Sequence, residues 1–155
     1  MNNAAVIVFA VETAPGDSES AVGELMTAMG DSLAAVEGIR LERIEQLAVE
    51  DALTLQEASL ALFITESDAA PTPFAMTELT VDESQSMAAE NGNLSPGQLL
   101  HTYAALRRNR PRPPTFLLEL QIAAADRLES VAAAAELLGQ LSSDLSPQSW
   151  RSRLS

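Results

Sequence analysis

The sequence predicts a three-layer α/β/α sandwich built on a mostly parallel, five-stranded twisted sheet. Short apolar runs of strand length alternate with longer segments whose apolar residues recur at helical spacing. Several of these runs are nearly unbroken, which is typical of central strands covered on both faces. Three helical segments begin with a capping box, at Thr54, Ser95 and Asp126. Together, these features are typical of an α/β domain rather than an all-helical or all-β protein.

The first third of the chain predicts a strand, a helix and a second strand. Residues 4–11 form an apolar run of strand length. Residues 18–29 carry apolar side chains at helical spacing, and Asp17 or Ser18 is the expected N-cap. In the segment "GIRLERIE", Ile39, Leu41 and Ile44 alternate with charged residues, so this strand is expected at an edge or half exposed.

The middle of the chain adds a short helix and two strands. The segment "TLQE" at 54–57 predicts the short helix, and "ALFITE" at 61–66 is a further buried strand. The segment "AMTELTVDE" at 75–83 alternates with period two, which favours a strand at the margin of the sheet. The polar, turn-rich residues 83–93 are expected to form a loop.

The last third predicts helix, strand and helix. Ser95, Pro96 and Gln98 form a strong helix start, and the segment "PRPP" ends that helix. "TFLLELQIA" follows as a fifth strand, and Asp126 with Glu129 begins an Ala- and Leu-rich helix. We expect one domain over residues 1–145 and a loose tail over 146–155.

Composition narrows the classes of function. The chain has 22 acidic and 9 basic residues and a formal net charge of −13, which disfavours nucleic acid and anionic membranes as partners. It has no cysteine, which excludes disulfides, thiolate metal sites and cysteine nucleophiles. No apolar run reaches the length of a membrane span and no basic signal-peptide region is present, so a cytoplasmic protein is expected.

Four of the nine basic residues lie within six positions of the sequence. Two interpretations stay open: the arginines complement the dipole of a helix end, or they form a docking patch for an acidic partner. The four residues are Arg107, Arg108, Arg110 and Arg112.

Common catalytic and nucleotide-binding motifs are absent from the sequence. There is neither a Gly-x-Gly-x-x-Gly loop nor a Gly-Lys-Ser/Thr loop, so a nucleotide-binding enzyme is poorly supported. A Gly-x-Ser-x-Gly motif is also absent, and the single His101 lies within a predicted helix, which disfavours a serine hydrolase.

Several motifs, in order, resemble those of the hydrogenase maturation endopeptidases. The best match is "GNLSPGQLLHTYAALRRNRPRPPTFLLELQI", followed by "RLESVAAAAELL", and the resemblance extends from Val6 to about Leu141. It implies an α/β fold and a role in trimming the C-terminus of the large subunit of nickel–iron hydrogenase. It also implies a metal held by an acid after the first strand, an Asp at a later strand end and a loop His.

The chain departs from that family at its metal ligands. Phe9, Val11 and Glu12 stand where the family has Gly, Gly and Asn. The resemblance places the former ligand positions at Ser18, at Thr65 or Glu66, and at Gly92 or Asn93. Carboxylates near these positions are the candidate replacements, and we expect them around one shallow cleft at the carboxyl edge of the sheet, with Asn93 beside them. They are Asp17, Glu19, Glu66 and Asp68.

Metal chemistry favours loss of the peptidase activity. Nickel prefers imidazole and other nitrogen ligands, whereas an all-carboxylate set suits a harder ion such as Mg²⁺ or Ca²⁺. The sequence therefore predicts no catalytic residue and no cofactor beyond a weakly bound divalent cation. Three hypotheses follow: a non-catalytic relative that binds a nickel–iron hydrogenase large subunit or its precursor, an active endopeptidase with relocated carboxylate ligands, and an unrelated α/β binding module.

Overall fold

Five strands form one sheet in the order β2-β1-β3-β5-β4 in the computed structural model. The structure describes residues 6–11, 21–44, 54–55, 58–67, 74–79, 113–121 and 127–154. Strands β1, β2, β3 and β5 are parallel to one another, and β4 pairs with β5 in the antiparallel direction. The predicted α/β class with a mostly parallel five-stranded sheet is confirmed. The strands are β1 (Val6–Val11), β2 (Ile39–Ile44), β3 (Leu60–Ser67), β4 (Phe74–Leu79) and β5 (Thr115–Gln121).

Three described helices accompany the sheet. They are α1 (Ala21–Ala34), α2 (Arg127–Ser143) and α3 (Pro147–Arg151). Helix α1 extends beyond the predicted end at Met29, through Gly30. Gly30 lies beside β2, and a Cβ there would make an ordinary van der Waals contact with Leu41 Cδ2 at 3.9 Å, so the packing of α1 on β2 does not require glycine. Gly38 then turns the chain into β2 with a φ of 95°, a conformation that favours glycine.

The two central strands, β1 and β3, are apolar on both faces, as their unbroken hydrophobic runs predicted. On one face, Val8 and Leu62 join a core cluster that also contains Leu25 of α1 and Leu138 of α2. We call this the helix face. On the opposite face, Phe9 and the other members of a second cluster pack together.

The second cluster is centred on two stacked phenylalanine rings. Phe9 and Phe63 are Cα partners on adjacent strands, and their ring centroids lie 4.9 Å apart with an interplanar angle of 13°. Both side chains are fully buried. Leu55, in the helical residues 54 and 55 that the "TLQE" capping box predicted, packs into this cluster.

The two edge strands are the two that the sequence assigned to the margins of the sheet. β2 pairs with β1 and is only partly buried: Ile39 and Leu41 pack on the helix face, Ile44 packs on the opposite cluster, and Arg40 and Arg43 are exposed. β4 pairs with β5 in the antiparallel direction over Phe74–Leu79, and the remaining predicted residues, 80–83, lie outside the described residues. Among the described residues, none of the helices is long and apolar enough to cross a membrane.

The segment predicted to be a loose tail instead contains helix α3. Ser146 is its N-cap, and its Oγ accepts a hydrogen bond of 3.2 Å from Ser149 N. Trp150 is only 1% exposed, and its ring meets Phe116 edge to face at a centroid distance of 5.5 Å. A loose tail would leave this large apolar ring in water, so burial of the indole accounts for the difference.

An ion pair connects α3 to the edge strand. Arg151 Nε and Nη2 donate hydrogen bonds of 2.8 and 2.9 Å to the two carboxylate oxygens of Glu78 in β4. This hydrogen bonding raises the pKa of Arg151 above its usual value. The guanidinium is exposed, so the pair orients α3 against β4 more than it stabilises the fold.

Candidate functional site

The carboxyl edge of the parallel strands is the candidate site. Strands β1, β3 and β5 end at this edge, because they are parallel and adjacent in the order β1-β3-β5. Helix α1 follows β1 in the chain and α2 follows β5, and both pack on the helix face. Ligands of open parallel sheets bind at such an edge.

Glu66 is the best-defined polar group of this edge. It lies near the end of β3, and its Oε1 accepts a hydrogen bond of 3.2 Å from Val22 N in the first turn of α1. The first backbone N–H groups of a helix have no partner within the helix, and the helix dipole favours negative charge there. The Glu66 carboxylate therefore caps α1 from a neighbouring strand.

This contact connects two parts of the predicted site. The sequence placed one group of candidate ligands between β1 and α1, and another at the end of β3. The hydrogen bond from Val22 to Glu66 brings the start of α1 to the end of β3. The start of α1 and the end of β3 therefore lie side by side, and the predicted cleft of ligands stays a prediction.

Strand geometry separates the two alternatives for the second ligand position. Successive side chains of a strand point to opposite faces of the sheet. Glu66 points to the helix face, where it reaches α1. Thr65 lies on the opposite face, in register with Glu119 of β5. Only Glu66 is therefore directed toward the start of α1.

Replacing Glu66 with alanine is expected to lower the free energy of unfolding by about 1 kcal/mol, as loss of a helix cap does. Urea denaturation followed by circular dichroism measures the change. Glu136→Ala is the matched control, because Glu136 is exposed in the middle of α2. Equal unfolding free energies for the two variants would contradict a capping role.

The opposite face of the same edge carries polar residues that the sequence analysis did not single out. Glu119 of β5 pairs in register with Thr65, and Gln121 with Ser67. Gln121 is buried, whereas Thr65 and Glu119 are half-buried. The alternation of polar residues at the end of "TFLLELQ" was the available signal. The Thr65 hydroxyl and the Gln121 amide can donate and accept hydrogen bonds, and the Glu119 carboxylate can accept them, but none of the three is an activated nucleophile.

A second overlooked residue is Ser130 in the first turns of α2. Its side chain is fully buried, and its Oγ has no hydrogen-bond partner in the structure. Most buried hydroxyl groups in proteins have such a partner, so Ser130 is an exception. No sequence motif marks this serine.

Most of the predicted site residues lie outside the described residues. His101, the helix expected from Ser95 and the predicted loop over 83–93 are also outside them. The shared cleft therefore stays a prediction, and Thr65 and Glu66 are the two predicted positions within the described residues. The remaining site residues are Asp17, Ser18, Glu19, Asp68, Gly92, Asn93, Arg107, Arg108, Arg110 and Arg112.

The described part of the chain contains no group of three or more His, Asp or Glu side chains that could hold a metal ion. Glu66 is the one candidate ligand with a described side chain, and it bonds to the helix backbone. The described part of this edge can therefore fix the start of α1 and form hydrogen bonds.

Comparison with known proteins reveals only distant likenesses. No protein-family model and no curated protein matches the chain. A pyrrolidone carboxyl peptidase from Fervidobacterium islandicum has 11% identity and a TM-score of 0.49, over 89% of this chain and 98% of that one. A Thermoplasma acidophilum protein of unknown function has 13% identity and a TM-score of 0.42, over 97% and 83%. Neither likeness carries information about activity, and the resemblance to the hydrogenase maturation endopeptidases stays a prediction from the sequence motifs.

Proposed function

We propose that the chain is a non-catalytic binding protein that associates with a nickel–iron hydrogenase large subunit or its precursor. The main support for a protein without catalytic activity is the hydrogen bond from Val22 N to Glu66 Oε1. The resemblance implies a metal ligand at this strand end. Here one of the two carboxylate oxygens of Glu66 fixes the start of α1, a role that needs no metal.

The donor chemistry of the chain supports the same conclusion. Nickel sites favour imidazole, and a catalytic metal needs about three protein ligands and an open position. The chain has one histidine and no cysteine, and the family's loop His is replaced by Gly92 or Asn93. Glu19, Glu66 and Asp68 offer only oxygen ligands, which suit a weakly held Mg²⁺ or Ca²⁺.

The partner part of the proposal rests on the sequence motifs and on charge. The motifs that resemble the maturation endopeptidases imply the hydrogenase large subunit as the partner. The arginine patch, defined as Arg107, Arg108, Arg110 and Arg112, is the most concentrated positive charge in an otherwise acidic sequence. We assign it to the contact with an acidic surface of the partner, where complementary charge speeds association.

The test is to incubate the purified full chain with a nickel-loaded large-subunit precursor. Intact-mass spectrometry should show the C-terminal extension retained, while size-exclusion chromatography shows the two proteins eluting together. An Arg107→Glu, Arg108→Glu variant should associate more weakly and more slowly. Arg153→Glu is the control, because it reverses one exposed arginine of α3's C-terminal flank outside the patch.

The other outcomes identify the competing functions. Removal of the extension, abolished by Glu66→Ala, would overturn the non-catalytic proposal in favour of an active endopeptidase with relocated carboxylate ligands. If the extension is retained and the chain associates with neither the precursor nor the mature subunit, the proposed association with the hydrogenase is wrong. The chain would then be an unrelated α/β binding module.

A further inference from the structure

We propose that Thr65 and Glu119 form a binding site for an organic cation with N–H donors on an alkyl chain, such as an alkylguanidinium or alkylammonium group. The two residues pair in register on the adjacent parallel strands β3 and β5. Adjacent strands lie about 4.8 Å apart, so the two residues are direct neighbours. The inference is independent of the proposed function, because it uses neither Glu66 nor the arginine patch.

Both side chains lie on the face of the sheet opposite the helix face. Successive side chains of a strand alternate between the two faces, so residues two positions apart share a face. Two positions before the pair, Phe63 is a member of the second core cluster and Leu117 packs against it. Thr65 and Glu119 therefore lie side by side at the carboxyl edge, next to the stacked phenylalanine rings.

The two polar groups keep contact with solvent and their hydrogen-bonding capacity. Both residues are half-buried rather than buried. Within the described ranges, neither side chain takes part in a hydrogen bond or an ion pair. Because an unpaired charge loses free energy when it is partly withdrawn from water, the Glu119 carboxylate gains when a cation pairs with it.

The charges at this position favour a cation over an anion as the ligand. The residues that pair with Glu119 on its two sides, Thr65 and Ala75, carry no charge. The carboxylate is therefore not neutralised from the adjacent strands. The net charge of −13 also attracts cations to the protein and repels anions.

The number of oxygen ligands favours an N–H donor over a metal ion. Mg²⁺ and Ca²⁺ take about six or more oxygen ligands. The described ranges hold no group of three or more His, Asp or Glu side chains that could bind a metal. One carboxylate beside one hydroxyl instead matches the fork of N–H donors on a guanidinium, or two of the donors of an ammonium group.

Apolar residues flank the polar pair on both sides. Ala75 of β4 pairs in register with Glu119. Val11 lies beside Thr65, because the preceding residue of β1 pairs with Ile64. Alkyl chains of cations lie along apolar surface while the charged head binds polar groups. This row of side chains therefore suits a ligand with a charged head and an alkyl chain.

The experiment is a titration of the isotope-labelled full chain with three probes, followed through its backbone amide signals by NMR. n-Butylguanidinium has both the charge and the N–H donors, n-butylurea has donors without charge, and tetramethylammonium has charge without donors. Only n-butylguanidinium should bind, with signal changes centred on Thr65 and Glu119. Its dissociation constant should rise with salt, because the contact is between charges.

Substitutions test the two residues separately. Glu119→Gln keeps the size of the side chain but removes its charge, so it should raise the dissociation constant about tenfold or more. Thr65→Val removes only the hydroxyl and should raise it about three- to tenfold. Glu136→Gln is the matched control, because Glu136 is exposed on α2 and the net charge changes equally. Circular dichroism and Trp150 fluorescence check that each variant is folded.

A tripeptide with a central arginine and blocked ends distinguishes two sources of the ligand. Tighter binding of the peptide than of n-butylguanidinium would indicate an arginine of a partner protein, and weaker binding would indicate a small molecule. The proposal is wrong if n-butylguanidinium does not bind, or if n-butylurea or tetramethylammonium binds equally well. It is also wrong if the Glu119→Gln and Glu136→Gln variants bind n-butylguanidinium with the same dissociation constant.

Discussion

Replacing Phe63 with alanine is expected to lower the free energy of unfolding by about 3–5 kcal/mol, the usual loss when a buried phenylalanine is truncated. Phe63 is fully buried in β3, the middle strand of the sheet, and stacks on Phe9 of β1. Strands on both sides fix its backbone, so the surrounding structure has little freedom to fill the cavity.

Urea denaturation followed by circular dichroism measures this loss. Phe74→Ala is the matched control, since Phe74 is only half-buried at the start of the edge strand β4 and should cost less. A double-mutant cycle of Phe9→Leu and Phe63→Leu isolates the ring contact, with an expected coupling of about 0.5–1.5 kcal/mol. If Phe63→Ala cost no more than Phe74→Ala, the stacked pair would not be central to stability.

Replacing Trp150 with alanine is the other change with a large expected effect, again about 3–5 kcal/mol. The ring is 1% exposed and packs edge to face on Phe116. Its Nε1 donates hydrogen bonds of 3.1 Å to Leu141 O and 3.0 Å to Asp144 O. Truncation removes the apolar contact and leaves two carbonyl groups at the end of α2 without this donor.

Trp150→Phe separates the two contributions, because phenylalanine keeps an aromatic ring but lacks the N–H donor. Its loss should be intermediate between zero and that of Trp150→Ala. Circular dichroism is the appropriate probe, since these variants remove the only tryptophan of the chain. A loss below about 1 kcal/mol for Trp150→Ala would resemble the small effect of a surface substitution. That result would support the loose tail that the sequence predicted.

The sheet could be predicted from the sequence because its strands carry periodicities that backbone geometry imposes. Unbroken apolar runs marked β1 and β3, and the alternating pattern "GIRLERIE" marked the edge strand β2. Helix α3 was missed because it is only five residues long and has no repeating apolar pattern. Its position depends on one side chain, Trp150, fitting against Phe116, and such a distant contact has no local signal.

The candidate site was predictable only in outline. Strand order and the direction of parallel strands predicted that the start of α1 would meet the end of β3, and the bond between Val22 and Glu66 shows this meeting. The choice between Thr65 and Glu66 required the strand's orientation, because a one-residue shift reverses every side chain. The exact pairing of Thr65 with Glu119 depends on register between strands far apart in sequence.

Both central strand pairings join distant parts of the chain, since Val6 pairs with Leu60 and Ala61 with Thr115. Folding must therefore close long loops before these contacts form, and such topologies fold slowly compared with helical bundles. Meanwhile, the apolar strands β1 and β3 are exposed to other unfolded chains, which promotes aggregation. The net charge of −13 acts against this, because it repels one incompletely folded chain from another during the time that β1 and β3 need to pair.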